Sequence, residues 1–306
     1  MNWQNIFQQQ VEKANPELFK PQPICHTNPF TSIKLWPHPS GGTIVEWSLV
    51  STFQEPPPHH YELQIAYGES AEETEWETVA EGEDTFLLVH ESPETYTNLT
   101  RAIYRLRLLV GDKKQPTAIY QTLIPSKPYF DLRSRKIIRR KFQIVIQNLK
   151  RASGTPGLLY KRRYYGPKCP RCANILTGEP VDGGCGVCYG TGIIGGYYQP
   201  LPFLLSITEQ DFQHELNAEG LGTVQLKTIK CLGPAFPDYT HGDIWRNLTD
   251  NTFWWINQVA AAESFRGYPV INNIILSKIP ATSPLYHLPD SPQISLDFLQ
   301  IPVNLT

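Results

Sequence analysis

Four cysteines that lie close together constrain this chain more than any other feature of its sequence. Two residues separate Cys169 from Cys172, two separate Cys185 from Cys188, and twelve lie between the pairs. Two residues between paired thiolates allow a tight turn that directs both sulfurs toward one ion, and a second pair completes a tetrahedron. The spacing therefore predicts that these four thiolates hold a structural zinc ion. The alternatives are an iron–sulfur cluster, which uses the same ligands, and four unligated thiols.

The remaining two cysteines, Cys25 and Cys231, stand alone and are expected to be buried apolar side chains. Paired cysteines in a chain without an export signal favour a metal site in a reducing compartment over a disulfide framework. No window approaches 18 uninterrupted apolar residues, and the first twenty residues lack the order of a signal peptide. Neither membrane contact nor secretion is expected.

The length of 306 residues predicts two or three domains, and 27 prolines with 21 glycines favour turn-rich β structure. We therefore expect a mainly β protein with four segments. These are an N-terminal arm or helix (1–27), a β-sandwich (28–126), a basic helix with the four-cysteine segment (127–199), and a β-rich C-terminal domain with an extended tail (200–306).

Short runs of alternating apolar and polar residues fill the second segment, and Val45, Trp47 and Leu49 form one such face. Period-two runs separated by turn residues predict an antiparallel β-sandwich. The succession of Trp47, YELQIAY, EWETV and AIYRLRLLVG resembles that of a fibronectin type III domain. The resemblance implies a binding or spacing module, and no catalysis is inferred from it.

Residues 132–152 are predicted to form a basic amphipathic helix, since Ile138, Phe142 and Ile146 recur at four-residue steps. Residues 127–172 contain 14 Lys and Arg but one acidic residue, whereas both flanks are acidic. Such asymmetry indicates contact with nucleic-acid phosphates, an acidic neighbouring subunit or the protein's own flanks, and a solvated face is the further alternative. The candidate contact residues are Arg135, Lys136, Arg139, Arg140, Lys161, Arg162 and Arg163.

The motif CGVCYGTG matches the CxxCxGxG unit of J-protein chaperones, but it occurs once and without a J-domain. Chaperone activity is therefore not inferred, although a J-protein-like holdase stays an alternative. No Walker loop, nucleophile elbow, HExxH or dinucleotide-binding fingerprint is present, and the chain is not expected to be an enzyme.

The longer context resembles virion structural proteins of tailed bacteriophages. It consists of RRYYGPKCPRC, CGVCYGTGIIGGYYQP, GDIW, FRGYPVINNIILSKIP and LYHLP. The resemblance implies a neck or head-to-tail connector subunit that forms a ring and contacts portal, connector, tail or fibre proteins. Such a protein is made in the host cytoplasm and is then incorporated into the virion. The alternatives are a baseplate subunit and a zinc-ribbon protein that binds nucleic acid.

Overall fold

The computed structural model describes residues 28–289 except 39–41, 56–57, 68–75, 92–101, 125–131, 175–176, 178, 182 and 219–221. Over these residues the protein is mainly β, as predicted, with thirteen strands and one α-helix. The strands are β1 (Phe30–Pro37), β2 (Thr43–Leu49), β3 (His59–Tyr67), β4 (Glu77–Glu83), β5 (Leu87–His90), β6 (Ala102–Asp112), β7 (Gln115–Ile124), β8 (Thr155–Tyr160), β9 (Leu201–Ala218), β10 (Gly222–Pro234), β11 (Ile244–Asn247), β12 (Phe253–Phe265) and β13 (Tyr268–Lys278). Helix α1 covers Leu132–Asn148 and continues into a π-helical turn, Leu149–Ser153.

The predictions for the arm (1–27), for Cys25 within it and for the end of the tail (290–306) fall outside the described residues. No described helix is long and apolar enough to cross a lipid bilayer.

The first seven strands form two antiparallel sheets. One sheet has the order β1-β2-β5 and the other has the order β4-β3-β6-β7. Strand β1 was not expected, because a register shift between Phe30 and Ser32 interrupts the period-two pattern by which a strand is recognised in a sequence.

Both sheets contribute side chains to one apolar core. Trp47 of β2 and Tyr61 of β3 are buried, and their ring centroids lie 4.7 Å apart. Leu63 and Leu106 are fully buried beside them. Strand β2 is buried on its second face as well, since Ile44 lies against helix α1 and the C-terminal strands.

Helix α1 buries the apolar stripe that its sequence predicts. Ile138, Phe142 and Ile146 are each at most 5% exposed. The Phe142 ring meets Trp36 of β1 edge to face, with centroids 6.2 Å apart. The helix also contacts β10 and β13, so it lies between the N-terminal sheets and the C-terminal strands.

The last six strands close into an antiparallel barrel of order β10-β13-β12-β11-β8-β9. Strand β8 pairs with β9 and β11, although it precedes the cysteines. The four-cysteine segment is therefore inserted between β8 and β9, which are adjacent strands of the barrel. The domain boundary expected at residue 199 lies between these two strands. Gly157 of β8 lies under Trp245, where an added Cβ would come 2.1 Å from the indole nitrogen, so glycine is required there.

The hairpin of β9 and β10 is longer than the barrel. Over Phe212–Ala218, β10 is the described partner of β9, and over Gly222–Lys227, β9 is the described partner of β10. These residues form a two-stranded backbone ribbon that continues from the closed barrel.

Candidate metal centre

The fold brings together the four cysteines that the sequence spacing selects. All are buried, with exposed fractions between 0% and 8%, and their sulfur atoms all lie within 4.8 Å of one another. The sulfurs of Cys169 and Cys185 are 3.9 Å apart, and those of Cys172 and Cys188 are 3.0 Å apart. Among the described residues they form the one group of three or more metal-type ligands.

The donor set fits a metal ion that prefers sulfur. Four thiolates about 2.3 Å from a tetrahedral ion lie about 3.8 Å from one another. The distance between the Cys169 and Cys185 sulfurs matches this value, and the distance between the Cys172 and Cys188 sulfurs is shorter. Both separations exceed the roughly 2.05 Å of a disulfide bond, and the four thiols are free. The arrangement is compatible with a metal site that has four sulfur ligands.

The second cysteine pair forms the tight turn that ligation requires. The backbone N–H groups of Cys188 and Val187 donate to the Cys185 sulfur and lower the pKa of that thiol to about 6. A hydrogen bond with Cys188 has the opposite effect on Cys172, whose pKa is raised. The turn therefore favours the thiolate form of Cys185, which is the form that binds metal ions.

Only some of the glycines around this turn have the positive φ angles that favour glycine. Of the five glycines between residues 183 and 192, Gly190 and Gly192 have positive φ angles, 79° and 77°. Gly190 also lies close to Gly183, and a Cβ added at residue 190 would lie 3.1 Å from the Gly183 carbonyl oxygen.

Three tyrosines hold the segment against the N-terminal sheets. Tyr165 precedes the first cysteine pair and Tyr198 follows the second, and the Tyr198 hydroxyl donates to that of Tyr165. The Tyr165 hydroxyl also lies 3.1 Å from the hydroxyl of Tyr61 in β3. Burial raises the pKa of all three phenols, so they are neutral at physiological pH. This cluster was missed in the sequence because Tyr61 and Tyr165 are 104 residues apart.

Three of the candidate contact residues serve internal contacts. Arg163 forms two hydrogen bonds with Asp84, at 2.6 and 2.5 Å, and its guanidinium lies 4.4 Å from the centre of the Tyr198 ring. The Lys161 ammonium lies 3.3 Å from Glu46, and the Arg162 guanidinium lies 5.5 Å from the centre of the Tyr164 ring.

The helical candidates lie at the surface or half-buried. Lys136 and Arg140 are exposed, and Arg139 is half-buried. Arg135 lies in α1, but its side chain is outside the described part of the chain.

Three further buried titratable side chains have structural roles. Asp243 is fully buried and accepts the backbone N–H groups of Thr240 and Arg162, both at 2.7 Å, so it fixes the turn before β11. His59 is 3% exposed, and its Nε2 donates to the Glu55 carbonyl at 3.0 Å. Cys231 is buried in the barrel, as expected of a small apolar side chain.

Comparison with known proteins adds no identity to these observations. No family model matches the chain, and no curated protein is significantly similar to it.

Proposed function

We propose that the chain is a structural subunit of a tailed-bacteriophage particle and is located at the neck. We also propose that its four cysteines hold a structural zinc ion. The phage assignment rests on the sequence resemblance over roughly residues 130–290. The observation that carries the structural role is the placement of the four-cysteine segment, which is inserted in the barrel and bonded to the N-terminal sheets.

The two sheets favour the fibronectin type III interpretation of residues 28–126. Strand orders β1-β2-β5 and β4-β3-β6-β7, with a shared core, fit a seven-strand sandwich in which three strands face four. In the proposed role this module spaces or presents the barrel within the particle.

The β9–β10 ribbon favours a protein that assembles with others. A two-stranded ribbon is marginally stable alone, and here each strand has one neighbour among the described residues, which leaves its other backbone edge without a described partner. A neighbouring virion protein would satisfy those edges.

The metal assignment is tested on the purified full chain by elemental analysis. We expect about one zinc per chain, and a cobalt-substituted protein should show the absorption of tetrahedral thiolate coordination. Bound iron with inorganic sulfide would instead establish the cluster alternative.

The Cys185→Ser variant should lose the metal ion and unfold residues 165–198, because one tetrahedral ligand and its thiolate are removed. Hydrogen exchange would locate the loss of protection, and Cys231→Ser is the matched control because that thiol lies in the barrel. Normal metal content and protection in Cys185→Ser would contradict the structural metal site.

The role in the particle is tested by cryo-electron microscopy of phage particles that contain the chain. A ring of copies between portal and tail supports the neck assignment, and density at the baseplate would move the subunit there. Absence of the chain from the particles would reject the virion role.

Nucleic-acid binding is the second candidate, and the exposed Lys136 and Arg140 favour it. Contacts to phosphates give an affinity that falls steeply with salt. Retention of duplex DNA at physiological salt, lost in Lys136→Glu/Arg140→Glu, would support this function.

A further inference from the structure

One face of α1 and its π-helical turn carries exposed cations around an exposed apolar side chain. Lys136, Arg140 and Ile144 follow one another at four-residue steps, and Arg151 continues the row in the turn. All four are exposed, Ile144 to 47%. We call these residues the basic face. Lys136, Arg140 and Arg151 have no acidic partner among the described residues, whereas Lys141 pairs with Glu263 of the same chain.

An exposed acidic surface lies elsewhere on the chain. Strand β4 carries Glu77, Glu81 and Glu83, all exposed, and we call these residues the acidic edge. Glu81 pairs with Lys113, while Glu77 and Glu83 have no ion pair in the described part of the chain. Strand β4 is also the outer strand of its sheet, and no described strand pairs with its second backbone edge.

The two surfaces do not neutralise each other within one molecule. Helix α1 packs on β1, β10 and β13, whereas β4 pairs with β3 at the edge of the other sheet. No described ion pair joins them. Opposite charges left unpaired on separate surfaces of one chain are complementary between copies.

We propose that the basic face of one copy docks on the acidic edge of a second copy of this chain. The exposed Ile144 favours a protein over a nucleic acid as the occupant, because phosphates offer no apolar surface to bury it and protein interfaces are apolar at their centre. Since the two surfaces differ, the contact is heterologous and repeats from copy to copy, which gives a ring when the rotation closes. This inference rests on the proposed assembly function and names its contact.

The test is sedimentation of the full, metal-loaded chain at low and high salt. We expect an oligomer whose dissociation constant rises with salt. Reversal of the basic face in Lys136→Glu/Arg140→Glu, or of the acidic edge in Glu77→Lys/Glu83→Lys, should each weaken association by roughly tenfold or more.

Complementation distinguishes this contact from a general effect of charge. One chain with both reversals restores opposite charges at every contact and should recover the original oligomer. In an equimolar mixture the two reversed proteins should associate more tightly with each other than either does with itself. Lys114→Glu/Lys278→Glu is the control, because it makes the same charge change at two other exposed lysines. Thermal unfolding midpoints equal to that of the original chain show that the variants are folded.

Three results would overturn the proposal. They are a monomer at every salt concentration, an oligomer unaffected by both reversals, and a basic-face reversal that abolishes duplex-DNA binding but leaves the oligomer intact. Presence of the chain in particles, measured separately, decides the assembly function. A chain in the particle with an oligomer indifferent to the reversals keeps that function and rejects this contact.

Discussion

Glu46 and Lys161 form a buried ion pair that links β2 to the start of the four-cysteine segment. Their side chains are 5% and 14% exposed, and 115 residues separate them in the sequence. Glu46 also accepts Trp36 Nε1 at 2.9 Å and the Asp238 backbone N–H at 3.0 Å, while Lys161 donates to the Asp238 carbonyl. Burial raises the pKa of Glu46, and Lys161 opposes that rise.

Glu46→Ala should destabilise the protein by about 3–5 kcal/mol, because it leaves the Lys161 ammonium buried without its carboxylate. Glu46→Ala/Lys161→Ala should cost less than the two single changes together, since it removes both charges. Urea unfolding measures these costs, and Glu81→Ala is the control because it breaks the exposed Lys113 pair. Additive costs would show that the buried pair is not coupled.

At the scale of elements, the sequence predicts the features that depend on residues close to one another in the chain. The four cysteines lie within twenty residues, and α1 is amphipathic by itself, so both were predictable. Strand β8 was not, because Thr155, Pro156 and Gly157 favour a turn, and the strand forms only through pairing with β9 and β11. The identity of the acidic partners of Lys161 and Arg163 could not be predicted, since Glu46 and Asp84 are 115 and 79 residues away.

Phe142→Ala in α1 should cost about 3–5 kcal/mol in the free energy of unfolding, because Phe142 is 3% exposed and contacts Trp36 and Tyr268. Gln147→Ala on the exposed side of the helix should stay within about 0.5 kcal/mol. Chemical denaturation measures both. Equal costs would show that α1 is not anchored through this stripe.

At the scale of the whole molecule, one apolar core runs through both halves. It includes Trp47 and Leu63 of the sheets, Phe142 of α1, and Leu201 and Phe236 of the C-terminal half. The tyrosine cluster and the Arg163–Asp84 pair add polar links at the same junction.

We therefore expect the metal-loaded chain to unfold in a single cooperative transition, with equal calorimetric and van't Hoff enthalpies. Differential scanning calorimetry measures both quantities. Two separated transitions would show that the sheets and the barrel are energetically independent.

The insertion of the four-cysteine segment between β8 and β9 should also affect how fast the barrel closes during folding. The two strands are neighbours in the barrel, yet residues 161–200 separate them, and bringing the ends of such a loop together carries an entropic cost that grows with its length. A metal ion that draws Cys169 and Cys188 together shortens the free part of that loop. Metal uptake should thus act as a kinetic step, and refolding in the presence of zinc should be faster than refolding in a chelator.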